Sequence, residues 1–229
     1  MWIQGDYGHD RKNIGVMIKT FLETFKNKQK QPALILKTSA GSASYSSRQQ
    51  ILKKINNIKA QIKGKLPKIY LIHGDLTDEE MNQLYNHPQV KCMVSATKGE
   101  GFGRPLLEFT QTKKPIIASG WSGHVDFLKP DMSYLIQGKL HNVHPSAANK
   151  WLVKESQWFD IDVVALNNAF KTIYLNYKDW SIKSKKQGNF VKENFSYTNM
   201  KEKLGSILEE KTGNMPQHIK LKLPKLQKT

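Results

Sequence analysis

QVKCMVSATKGEGFGRPLLEF (residues 89–109) passes from an apolar run, through a glycine-rich turn, into a second apolar stretch. The run QVKCMVSA reads as a buried strand, and PLLEFTQT as a helix. Gly99, Gly101 and Gly103 stand at alternate positions between them. Glycine lets a backbone come close to a ligand. The first turn of a helix adds N–H groups without intrahelical partners and a partial positive charge. In an open parallel sheet, ligands bind at the carboxyl ends of the strands. The turn is therefore a candidate anion site, best suited to phosphate. It differs from the dinucleotide-binding fingerprint, because its spacing is G-x-G-x-G and it follows the fourth candidate strand instead of the first.

Two acids flank this turn. Glu100 lies within it, and Glu108 lies about one helical turn further on. A carboxylate accepts hydrogen bonds from hydroxyls and can hold a vicinal diol with both oxygens. Two of them around a phosphate site fit a ligand with hydroxyls at both ends of a diphosphate, which is the shape of a nucleotide sugar. The same pattern fits a helix cap at Glu100 and an exposed helical residue at Glu108. The residues alone leave both readings open.

Outward from the turn, strands and helices alternate. MWIQG reads as a short strand ending in Gly5, and NIGVMIKTFLETF places Ile14, Met17, Ile18, Phe21, Leu22 and Phe25 on one helical stripe. PALILKTS is a compact apolar run, read as a strand. RQQILKKINNIKAQI spaces Ile51, Leu52, Ile55, Ile58 and Ile62 for a helix, and KIYLIHG is the next strand. Thr77 with Glu80 three residues later has capping-box spacing and opens a helix. KPIIASG and MSYLIQG read as a fifth and a sixth strand. This alternation predicts an α/β fold, a Rossmann-like open parallel sheet with helices on both faces. From about residue 139 the texture turns polar, with Pro145 interrupting it. Helical stretches follow over DVVALNNAFKTIYLNY, 180–194 and 197–210. One domain over 1–210 and a basic, disordered tail over 211–229 are expected.

The formal net charge is +17 and the pI about 9.8, which favours anionic partners without naming one. Neither zinc-ligand spacing nor an RNA-binding aromatic motif is present, which argues against nucleic acid as the partner. A basic nucleic-acid-binding protein is nevertheless one alternative reading. The single cysteine, Cys92, sits in an apolar run and cannot form an internal disulfide. A buried free thiol in a reducing, cytoplasmic compartment is expected. No apolar stretch is long enough to cross a bilayer, and the N-terminal residues lack the apolar region of a signal peptide.

The segment EGFGRPLLE resembles the E-x(7)-E motif of retaining glycosyltransferases of the GT-B fold, family 4. GDYGHDRKNIGVMIKTF resembles the strand, phosphate loop and helix that open that family's C-terminal domain. IHGDLTDEEMNQLY is similar to its nucleobase-side loop, and KPIIASGWSGHVDFL to the strand and loop after the motif. The resemblance covers residues 1–137 well and the C-terminal helices loosely. It implies the C-terminal, donor-binding half of a GT-B enzyme, followed by C-terminal helices. By position, Glu108 would bind the ribose hydroxyls and Glu100 the transferred sugar. Gly101, Phe102 and Gly103 would offer backbone amides, and Lys12, preceded by Arg11, would hold the diphosphate. Gly5 would end the strand at the phosphates, and Asp75 and Leu76 would lie at the base. Asp6 stands where many relatives carry a second basic residue.

The resemblance further implies sugar transfer with retention of configuration, from a nucleotide-sugar substrate, without a cofactor or divalent metal ion. The acceptor could be a glycan, a protein or a lipid. The N-terminal acceptor domain is expected on a partner or a missing segment, and contact with a membrane surface would fit the basic charge. A non-catalytic nucleotide-sugar-binding subunit is the other alternative.

Overall fold

The computed structural model describes residues 9–38, 43–149, 152–153 and 155–212. The expected first strand with Gly5 and Asp6, and nearly all of the expected tail, lie outside the described residues. The chain divides into two compact units, one extending to Val191 and one beginning at Lys192.

In the first unit, helix α1 (Ile14–Phe25) starts where Asp10 Oδ2 accepts the Ile14 N–H at 3.1 Å. Its stripe of Met17, Ile18, Phe21, Leu22 and Phe25 is buried as the spacing predicts. Strand β1 (Leu34–Thr38) pairs in parallel with β2 (Ile69–His73), Leu34 opposite Ile69 and Thr38 opposite His73. The crossover between them is α2 (Tyr45–Ala60), which is capped by the Ser44 hydroxyl and buries Ile51, Ile55 and Ile58. Helix α3 (Asp78–Asn86) opens with the expected capping box. Thr77 Oγ1 accepts the Glu80 N–H at 3.2 Å, and Glu80 Oε2 accepts the Thr77 N–H at 2.8 Å.

Strands β3 (Met93–Ser95), β4 (Ile116–Ser119) and β5 (Tyr134–Ile136) form a second parallel sheet with β4 in the centre. Helix α4 (Arg104–Thr110) is the crossover from β3 to β4. It carries Pro105 in its first turn, where a missing N–H removes no helical bond. All four residues of β4 are buried. Ile117 faces the cluster that holds the buried residues of α1, and strand alternation turns Ile116 to the other face. Among the described residues no ladder joins β2 to β3.

The polar stretch after residue 138 departs from expectation. Strands β6 (Gly138–Asn142) and β7 (Gln157–Ile161) pair as an antiparallel hairpin, Gly138 opposite Ile161 and Asn142 opposite Gln157. The strands lie so close that a Cβ at Gly138 would stand 2.1 Å from the Asp160 carbonyl oxygen. Helix α5 (Val163–Leu175) follows, with Asp162 capping the Val164 and Ala165 N–H groups. It packs on α1 through edge contacts of Phe170 with Phe21 (5.6 Å) and Phe25 (6.1 Å).

Helix α6 (Tyr177–Asn194) is pinned by Gln187, 2% exposed. Gln187 donates to the Phe127 carbonyl (2.6 Å) and accepts from the Lys129 N–H (2.9 Å). In the second unit, α7 (Tyr197–Thr212) buries none of its residues, and Tyr197, Met200, Leu204, Ile207 and Leu208 are exposed. Among the described residues no helix is long and apolar enough to cross a membrane.

Candidate functional site

The glycine-rich turn, residues 99–103, joins the carboxyl end of β3 to α4, as the sequence predicts. Its three glycines are not equivalent. Gly103 has φ 85°, the left-handed region that glycine reaches without strain, and stands immediately before the helix. Beside Gly101 there is open space, with nothing within 4 Å of a Cβ built there. A Cβ on Gly99 would meet Trp121 Cζ3 at 3.4 Å.

A second segment braces the turn from below. The Ser122 hydroxyl donates to the Glu100 carbonyl (2.6 Å) and accepts from the Glu100 N–H (3.0 Å), and the Gly123 N–H donates to the same carbonyl (3.1 Å). The two backbones meet so closely that a Cβ on Gly123 would stand 1.9 Å from the Gly101 oxygen. The peptide at Glu100 is thus held on both of its polar groups.

The loop before α1 reaches this turn across 88 residues of chain. Arg11 Nη1 donates to the Gly99 carbonyl at 2.6 Å and stands 3.5 Å from Glu100 Oε2, while Lys12 Nζ contacts Glu100 Oε1. The Glu100 side chain is 15% exposed, against 44% for Arg11 and 36% for Lys12. The acid therefore lies deeper than the two cations, which face outward. This arrangement brings together Glu100, Lys12 and Arg11, the residues that the resemblance sets at the transferred sugar and the diphosphate, as its candidate catalytic group.

Glu108 is placed differently. It is half-exposed on α4 and accepts a hydrogen bond from Arg104 Nε at 2.6 Å, one helical turn back. The Glu108 carboxylate holds the Arg104 guanidinium above its ordinary range. Among the described residues no hydrogen bond or ion pair joins Glu108 to Glu100, Lys12 or Arg11. Asp75, exposed, and Leu76, half-buried, precede the capped start of α3. Phe102 is 41% exposed, with its ring tilted against Phe127 at 5.2 Å. Gly5 lies outside the described residues.

Two histidines and the cysteine have definite settings. His124 is fully buried, and its Nε2 lies 2.6 Å from the Ser119 carbonyl, so Nε2 is the protonated nitrogen. Burial pushes its pKa below the ordinary histidine value, so it is neutral at pH 7. His73 Nε2 lies 2.9 Å from Ser47 Oγ. Cys92 belongs to a partly exposed residue, but its thiol is turned inward toward the Met93 carbonyl, and burial pushes its pKa up to about 12.

Sequence reasoning did not single out Lys98 and Asp10, although both lie in the quoted segments. Lys98 is 3% exposed and Asp10 fully buried, and burial shifts each toward its neutral form, lowering the lysine and raising the aspartate. Lys98 was missed because a lysine beside a glycine turn reads as a surface residue.

No protein-family model matches the sequence, and a search of curated proteins finds no relative. Solved structures do match. A glycosyltransferase from Rickettsia africae superposes with a TM-score of 0.64 at 17% identity, over 93% of this chain and 48% of its own. The C-terminal domain of LpcC, a group 1 glycosyl transferase from Francisella tularensis, matches with a TM-score of 0.56 at 14% identity, over 82% of this chain and 81% of its own. The chain has the fold of a GT-B C-terminal domain. Anabaena HepE, solved with UDP-glucose, matches this GT-B domain with a TM-score of 0.61 at 12% identity, over 87% of this chain and 46% of its own. The GT-B domain thus spans about half the length of the Rickettsia and Anabaena structures.

Proposed function

We propose that this GT-B domain binds the donor of a retaining glycosyltransferase, a nucleotide sugar whose hexose is passed to a glycan, protein or lipid acceptor. The observation that carries the reading is the convergence of Lys12 and Arg11 on Glu100, whose neighbour in the chain, Gly101, has open space beside it. A diphosphate entering beside Gly101 would take over Lys12 and Arg11. Their charge would stabilise it as a leaving group, the work a divalent ion does in other enzymes. Glu100, released from the lysine, would accept hydroxyls of the transferred sugar. Phe102 and Gly103 would supply backbone N–H groups, and Glu108 would hold the ribose diol, turning from Arg104 to do so. Asp75 and Leu76 would border the base.

Transfer also needs an acceptor held against the anomeric carbon and shielded from water. We assign that part to a second domain or partner chain, in keeping with the greater length of the Rickettsia and Anabaena structures. A nucleotide-sugar-binding subunit without turnover of its own would have the same donor contacts.

Calorimetry with UDP tests the reading, and UDP is the first probe because HepE was solved with it. Lys12→Ala is expected to weaken UDP by about 1.5–3 kcal/mol, the usual loss for a charged hydrogen bond. Chelation by EDTA is expected to leave the affinity unchanged. If UDP, GDP and ADP all fail to bind the wild-type chain, the donor site is rejected.

A further inference from the structure

Lys98 immediately precedes the turn, and its backbone is bonded in two directions. Its N–H donates to the Arg11 carbonyl at 2.7 Å, and its own carbonyl accepts the Phe159 N–H at 2.9 Å. One residue therefore links the loop before α1 to strand β7. The side chain runs the same way. Nζ contacts Asp160 Oδ1 and lies 5.2 Å over the Trp158 ring, both on β7. A lysine only 3% exposed keeps its charge when it is paired, and Asp160, 37% exposed, supplies the pair across 62 residues of chain. The hairpin reaches the same loop a second time, through the His9 and His144 rings, stacked at 3.7 Å with 5° between their planes.

We propose that Lys98 is a positioning residue for the diphosphate of the donor, tied to Asp160 so that the β6–β7 hairpin sets where Arg11 and Lys12 stand. The ligand assignment rests on the donor-site reading above; the mechanical link does not. The ammonium itself faces Asp160 and Trp158, so it acts on the ligand through the loop. The hairpin, which had no motif in the sequence, thereby becomes part of the donor site. A shift of its strands would be felt at the two cations without any change in the residues that touch ligand.

The test separates positioning from charge. Lys98→Met removes a positive charge and the tie, whereas Asp160→Asn removes the ion pair, leaving at most a neutral hydrogen bond, while making the chain more positive. Both are expected to weaken UDP by about ten- to a hundredfold, the range seen when residues behind a binding group are lost. Uridine, which has no phosphate, is expected to keep its affinity by saturation-transfer NMR, and Lys98→Arg is expected to restore most of the UDP binding. Tighter UDP binding by Asp160→Asn would mean that net charge, not position, matters, and would overturn the proposal. Equal weakening of UDP and uridine would also overturn it, because the loss would then be general. Hydrogen exchange supplies a readout without ligand: the amides of Arg11, Lys12 and Asn13 are expected to exchange faster in both variants, with α2 unchanged. If wild type binds no UDP, the donor reading fails, but unchanged exchange at those amides would still reject the mechanical link, and faster exchange would support it.

Discussion

Glu100 and Glu108 belong to one short motif, yet the structure places them in opposite settings. Glu100 is 15% exposed, its peptide is held by Ser122 and Gly123, and its carboxylate meets Lys12, 88 residues away in the chain, and Arg11 beside it. Glu108 is 42% exposed, and its partner is Arg104, a neighbour on the same helix. The first acid is held by tertiary structure, the second by local structure. The difference teaches that membership of one motif does not mean equal roles. A residue braced on all sides acts where it stands, while a residue on an open helix face is free to turn to a ligand.

The strongest way to break this contrast is to disturb the brace. Gly123→Ala would push a methyl group against the Gly101 oxygen, with backbone on both sides and no flexible side chain to yield. A loss of about 3 kcal/mol in unfolding free energy is expected, at the upper end for overpacking, together with loss of UDP binding. Denaturant titration measures the first and calorimetry the second. An unchanged midpoint would mean that the turn is looser than its contacts imply.

Next in size, the two acids can be set against each other. Glu108→Ala is expected to weaken UDP and UDP-glucose equally, by about 1.5–3 kcal/mol, since both carry the ribose. Glu100→Gln is expected to leave UDP binding intact or improved, because Lys12 is freed, while UDP-glucose loses its advantage over UDP. Equal effects of both variants on both ligands would erase the division of labour. The smallest effect is expected for Arg104→Ala. The pair on the exposed helix face adds little to stability, so the thermal midpoint should stay within error of wild type. A large drop would show that the helix start relies on this pair and that Glu108 is not free to turn.

Much of the first unit was legible in the sequence. The stripe from Met17 to Phe25 has helical spacing, and α1 buries it. Thr77 and Glu80 have capping-box spacing, and both bonds are formed. The strand–turn–helix around Gly101 was legible for the same reason, since each of its signals is local. The β6–β7 hairpin was not. Its strands are five residues each, the first largely polar, and neither alternates clearly. Strands of that kind are decided by what they pair with, and the closing partner stands far along the chain.

The site divides along the same line. By itself the sequence determined the elements and the chemistry on offer: a glycine turn before a helix, an acid in it, and two cations before another helix. Neighbours within a few residues settle those features, through backbone geometry and side-chain spacing. Only the tertiary structure decided that Lys12 and Arg11 meet Glu100, that Glu108 pairs with Arg104 instead, and that Lys98 is buried against Asp160. Those contacts come from packing between distant segments, where burial makes a charge seek a partner, and no local pattern encodes which partner it finds.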